Sequence, residues 1–159
     1  MSKAIGMIEF KTVAAGITAA DQMVKTAQVE LLEAQTVCPG KYIALSAVRA
    51  AVDRAEQTRP DELIDSFVLG NPDESIFPAI YGSSCIDGVD ALGILETYDA
   101  ASIIVAADIA AKTAIVKLIE LRIAKGMCGK SYVLLSGSVA AVEAAVEETV
   151  EEVAAEDAE

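Results

Sequence analysis

Apolar residues recur along this chain in two rhythms, and the same succession of rhythms occurs twice. Ile5 to Phe10 is a short, nearly continuous apolar run that predicts a buried strand, with Gly6 marking a close backbone approach. Helical spacing follows, with Val13, Ile17, Ala20, Val24 and Ala27 on one stripe that predicts the core face of a helix. Val29 to Val37 reads as a second strand and Lys41 to Leu45 as a third. Between them Cys38-Pro39-Gly40 interrupts pairing and marks a loop or hairpin end. A helix over Ala47 to Gln57 and a strand over Leu63 to Leu69 complete the order β-α-β-β-α-β.

The succession then restarts. A strand is expected from Ala91, a helix over Ala100 to Thr113, a strand from Val116, a loop over Ala124 to Gly129, a strand from Lys130 and a helix from Ser138. Identities recur at a constant offset of 87 residues: Ala4-Ile5-Gly6-Met7-Ile8-Glu9 returns as Ala91-Leu92-Gly93-Ile94-Leu95-Glu96. Ala19-Ala20-Asp21 with Lys25-Thr26-Ala27 returns as Ala106-Ala107-Asp108 with Lys112-Thr113-Ala114, and Val29, Leu31 and Glu33 match Val116, Leu118 and Glu120. A period this long is a duplicated domain, and the chain is divided here into residues 1–82, with a linking segment, and residues 83–159. The fold class is α/β in composition and α+β, ferredoxin-like, in arrangement, and two such units are suited to packing side by side in a ring.

The halves are not equivalent. The loop before the third strand is two residues longer in the second half, since Leu31 to Gly40 spans nine positions and Leu118 to Gly129 eleven. The joining segment from Asn71 to Val89 is rich in Pro, Gly and Ser, with Ile76 to Ile80 expected as a short turn. No fourth strand is expected after the last helix of the second half. The acidic residues from Glu147 onward read as a solvated helix end or frayed terminus, and the open sheet edge would need cover from a neighbour.

Composition narrows the function. Units of roughly 80 residues lie near the lower limit for an independent core. The chain is 53% hydrophobic with no Trp and a mean hydropathy of +0.43, which points to small-residue helices lying close on sheets and to burial between subunits. A formal charge of −13 with scattered Lys and Arg argues against nucleic acid and anionic membranes. No stretch is long and apolar enough to span a bilayer, and Met1-Ser2-Lys3 leads directly into the first strand, so a cytoplasmic location is expected. Three Cys make a disulfide framework unexpected.

The repeated Gly6-Met7-Ile8-Glu9, Ala19-Ala20-Asp21 with Lys25-Thr26-Ala27, and the Gly-Lys opening each third strand (Gly40-Lys41 and Gly129-Lys130) resemble the bacterial microcompartment shell domain. The resemblance runs from Ala4 to about Val146. A tandem pair is similar to the trimeric class, in which three double-domain chains form a pseudohexameric tile. Thr36-Val37-Cys38-Pro39-Gly40-Lys41 further resembles the propanediol-utilisation T-type loop, whose cysteine faces the pore and holds an iron–sulfur cluster on the threefold axis. The resemblance implies a homotrimer in a microcompartment shell, other shell proteins as partners and a redox partner. It assigns the cofactor to Cys38, Pro39 and Gly40, with Cys38 as iron ligand. Cys38, Lys125, Gly126, Met127, Cys128 and Gly129 become pore-lining, and Lys25 and Lys112 become tile-edge contacts.

Physical chemistry bears on each assignment. One Cys per chain supplies one ligand where a cluster needs four, but a threefold axis would bring three thiolates together on a [4Fe-4S] cluster, the fourth iron taking an exogenous ligand or solvent. Pro39 would stiffen the turn and Gly40 would permit close approach. An open or gated pore for metabolites with no cluster, or a soluble ferredoxin-like electron carrier or regulatory protein, are the competing readings. Cys128 is a weaker candidate ligand, and Cys85 is expected to be structural. Lys25 and Lys112, each four residues after an Asp, are either solvated helix-face pairs or long stems reaching a neighbouring tile. Catalysis is not expected: there is no His and no phosphate loop, and Glu9 and Glu96 read as bonding backbone or polar groups at a strand end.

Overall fold

The computed structural model describes residues 4–26, 30–46 and 49–156; Ala27, Val29 and Ala47, assigned above to elements, lie outside them. The chain divides into two compact units, Met1–Pro72 and Asp73–Glu159.

In the first unit β1 (Ala4–Phe10), α1 (Val13–Thr26), β2 (Leu31–Val37), β3 (Lys41–Ser46), α2 (Arg49–Thr58) and β4 (Leu63–Gly70) follow in order, with a 3-10 turn at Pro60–Glu62. The antiparallel sheet has the order β2-β3-β1-β4, with Ile8 opposite Ala44 on one side and Ser66 on the other. From Ile5 to Phe10 the central strand is buried, as its apolar run predicts. The core joins Ile8, Phe10 and Ala44 to Ala15, Ala19, Ala20 and Met23 of α1 and to Val52 and Ala55 of α2.

The expected helix face is corrected here. The core side of α1 is Ala15, Gly16, Ala19, Ala20 and Met23, while Ile17 and Val24 are 54% and 49% exposed. Small residues win this face because they let the helix lie against β3: a Cβ on Gly16 would stand 2.4 Å from the Tyr42 side chain. Gly6 is likewise a point of close approach, its hypothetical Cβ falling 2.4 Å from Val52 Cγ2.

The second unit contains α3 (Ile76–Ile80), β5 (Ala91–Thr97), α4 (Ala100–Thr113), β6 (Lys117–Arg122), β7 (Ser131–Gly137) and α5 (Val139–Glu156). Its sheet order is β5-β7-β6, and among the described residues β5 carries no strand on its other edge. The segment over residues 73–82, grouped above with the first unit, packs with the second. Its stretch Ile76–Ile80 forms a turn of helix that buries Ile76 and Ala79 and lies against β6 and α4. Asp73 N–H donates to Asp108 Oδ1 at 2.7 Å, fixing the start of that segment. Helix α5 buries Val142, Ala145 and Thr149, and its Glu147, Glu148, Glu151 and Glu152 face solvent. Among the described residues no helix is long and apolar enough to cross a membrane.

Candidate functional site

The two loops singled out by sequence connect equivalent strands. Val37 pairs with Lys41 at the end of the β2–β3 ladder, leaving Cys38, Pro39 and Gly40 as the hairpin tip. The Cys38–Pro39 peptide is cis, and Gly40 has φ +83°, a left-handed conformation suited to glycine. Cys38 is half-buried, Pro39 and Gly40 are exposed, and nothing lies within 4 Å of a Cβ built on Gly40. Cys38 therefore lies on the hairpin tip, with open space two residues on at Gly40.

The β6–β7 loop is longer and differently wound. Ala124, Gly126, Cys128 and Gly129 all have positive φ, at 49°, 70°, 54° and 94°. Ala124 N–H donates to Ser131 Oγ at 3.0 Å and Lys130 N–H to the Met127 carbonyl at 3.1 Å, closing the loop on itself. Lys125, Gly126 and Cys128 are exposed, Met127 is half-buried and Gly129 is buried. All three thiols are free; Cys85, expected to be structural, is exposed, its Sγ 4.0 Å from the Ser83 carbonyl.

Each hairpin is anchored by an ion pair that the sequence reading did not join. Glu9 Oε1 lies 3.0 Å from Lys41 Nζ, with the carboxylate side chain only 6% exposed. In the second unit Glu96 accepts from Lys130 Nζ, and that ammonium also stands 5.0 Å from the centroid of Tyr98. Glu9 and Glu96 thus each bond a polar group at the strand end, and in both units that group is a lysine. The Glu96 hydrogen bond holds Lys130 above the usual lysine pKa, and Glu120 does the same for Arg122. A signal was present: the glutamates repeat at an offset of 87 and the lysines at 89, the two-residue difference being the longer loop.

Lys25 and Lys112 are both held by the aspartate one turn earlier. Lys25 Nζ lies 2.6 Å from Asp21 Oδ2 and Lys112 Nζ 2.6 Å from Asp108 Oδ2. The pairs differ in setting, for Asp21 is 49% exposed and Asp108 only 7%.

The BMC domain model matches twice, at residues 4–72 and 91–158, bracketing both hairpins and both helix-end lysines. The chain is 40% identical to the bacterial microcompartment shell protein PduT of Citrobacter freundii, over 92% of this chain and 82% of that protein. It belongs to the bacterial microcompartment shell proteins. Among solved structures, a microcompartment protein from Desulfitobacterium hafniense DCB covers 99% of this shell protein, and 90% of that chain is matched, with a TM-score of 0.93 at 43% identity. The fused permuted hexameric shell protein MSM0275 from the RMM microcompartment shares the fold, with a TM-score of 0.64 at 23% identity over 96% and 82% of the two chains. This shell protein is therefore a tandem BMC-domain chain of PduT type, in a family whose role is structural.

Among the described residues no group of three or more His, Cys, Asp or Glu is placed to hold a metal ion. Cys38 fits an iron–sulfur cluster only as one ligand of a set completed by symmetry, and its position at a hairpin tip beside the open space at Gly40 is compatible with that use.

Proposed function

We propose that three copies of this chain form a pseudohexameric tile of a microcompartment shell within the cytoplasm, with the Cys38 hairpins gathered at the threefold axis. There the three Cys38 thiolates would hold a [4Fe-4S] cluster, with Pro39 and Gly40 shaping the turn around it. When bound, such a cluster supplies one-electron transfer, here between the two sides of the shell and a redox partner. The chain's own part is to present one thiol per hairpin. The Glu9–Lys41 ion pair ties the base of that hairpin to the central strand, so the thiol is held on a braced element. The β6–β7 loop, with Lys125, Gly126, Met127, Cys128 and Gly129, contributes the other stretches of pore rim, and Lys25 and Lys112 contact adjacent tiles.

The observation that carries the cluster reading is the half-buried Cys38 on a three-residue tip with unobstructed space at Gly40. Protein purified without oxygen is expected to show the broad visible absorbance of an iron–sulfur centre. Cys38→Ser should lose it while Cys128→Ser keeps it. A colourless, iron-free wild type would leave the same tile with an open or gated pore.

A further inference from the structure

Strand β1 is paired on both sides, by β3 and β4, whereas among the described residues its repeat β5 is paired by β7 alone. The difference begins in the later helix of each unit. Val52 and Ala55 of α2 match Val142 and Ala145 of α5 at an offset of 90, with Val52 lying on Gly6 and Val142 on Gly93. Helix α2 ends at Thr58, and the chain turns back through Pro60–Glu62 into β4. The residues that match Arg59 to Ile64 are Thr149 to Ala154, and they continue α5. At the level where β4 begins in the first unit, the second unit therefore has a groove of about 190 Å³ between Leu95 and Thr97 of β5, Ala106 of α4, and Thr149, Val150 and Val153 of α5. Val150 is exposed there.

We infer that this groove and the β5 edge take an extended segment of a partner protein, apolar and basic in sequence, which adds to the sheet antiparallel to β5. The first unit supplies the pattern that such a segment follows. On the helix side β4 packs Val68 and Leu63 onto the core, opposite Gly6 and Phe10 of β1; on the other side it sets Leu69 and Phe67 opposite Ile5 and Met7. In the second unit the helix side offers the groove, and the other side offers Leu92 and Ile94, both exposed. A strand with apolar side chains on both faces buries what β5 leaves in water, and its main chain bonds the N–H and C=O groups along the edge. Charge decides whose segment it is. Glu147, Glu148, Glu151 and Glu152, interleaved on α5 with the groove residues, are exposed, and residues 73–159 carry 5 Lys and Arg against 16 Asp and Glu. A second copy meeting edge to edge would set these glutamates against their own kind, whereas lysine or arginine on the incoming strand is drawn to them. The inference needs neither a trimer nor a cluster.

Fluorescence anisotropy of a labelled peptide tests it on the full chain. The peptide has the sequence of β4, Leu63 to Gly70, with Asp65→Lys and lysines added at both ends; one control scrambles its order and another replaces every lysine by glutamate. Wild type is expected to bind the basic strand peptide at least about tenfold more tightly than either control, and Val150→Lys to weaken that binding by about tenfold or more. Equal binding of the scrambled peptide would reduce the contact to charge alone, and undiminished binding to Val150→Lys would place it elsewhere; either result, or no binding, overturns the site. Light scattering on a sizing column is read alongside. A wild-type mass that falls on Val150→Lys would make a second copy the occupant and overturn the partner. Should Val150→Lys lose its helical signal in circular dichroism, Glu151→Lys on the exposed side of α5 is read in its place, by the same criteria.

Discussion

At the scale of single residues, two repeated positions carry different loads. Glu9 is nearly inaccessible and faces Lys41, so Glu9→Gln weakens a charge-assisted bond in a shielded site and is expected to cost about 1–2 kcal/mol of unfolding free energy. Glu96 and Lys130 are 55% and 45% exposed, so water screens their pair and Glu96→Gln should cost clearly less than Glu9→Gln. Urea titrations of the two variants side by side check the contrast. Gly6 and Gly93 form a second matched pair, where an added Cβ would meet Val52 at 2.4 Å and Leu135 at 2.5 Å. Gly→Ala at either is expected to cost about 1–3 kcal/mol through overpacking. The role of Gly6 was legible in the sequence, since a glycine inside an apolar strand run has few other reasons to be there, and Gly93 is its counterpart in the repeat. The partner of Glu9 was not, because the pairing crosses from β1 to β3 and only the fold brings those strands together.

At the scale of elements, strands were read more faithfully than helix faces. An apolar run flanked by turn residues has one burial outcome, so β1, β3 and β4 lie within a residue of their expected limits. Helix α1 had two apolar stripes to choose from, and hydrophobicity alone favoured the larger residues. Close packing chose the smaller ones, and the stripe left over became an outward face. The stretch Ile76–Ile80 was expected as a turn because a single helical turn has no periodicity to read. It is anchored by Asp73, whose Oδ1 accepts Ser75 Oγ at 2.5 Å and Ser75 N at 2.9 Å; the Ser75 hydroxyl is the main cause holding that carboxyl below its ordinary pKa. A depressed folded-state pKa means that the stabilisation is present above the unfolded carboxylate range near pH 4 and fades as pH falls through the lower folded value. Ser75→Ala should therefore lower the melting temperature at pH 7 and lose its effect in strong acid, as melting curves across that range would reveal.

At the scale of the whole molecule, duplication lets one chain present two versions of each feature. One hairpin carries Cys38 on a short tip, and the other carries Cys128 on a longer loop with four left-handed residues. One helix-end lysine pairs with an exposed aspartate and the other with a buried one. The repeat and its family were legible because whole segments recur in register, whereas the unequal surroundings of the two copies emerge only in three dimensions. Joint replacement of Lys25 and Lys112 by Ala is expected to leave the proposed trimers intact and to abolish extended sheets in electron micrographs, with circular dichroism checking that the second unit stays folded once the buried Asp108 has lost its lysine. Native mass spectrometry of anaerobically purified protein tests the central claim most directly. The expected species has the mass of three chains plus one four-iron, four-sulfur unit. A species of one chain, or of three chains with no added iron and sulfide, would contradict it.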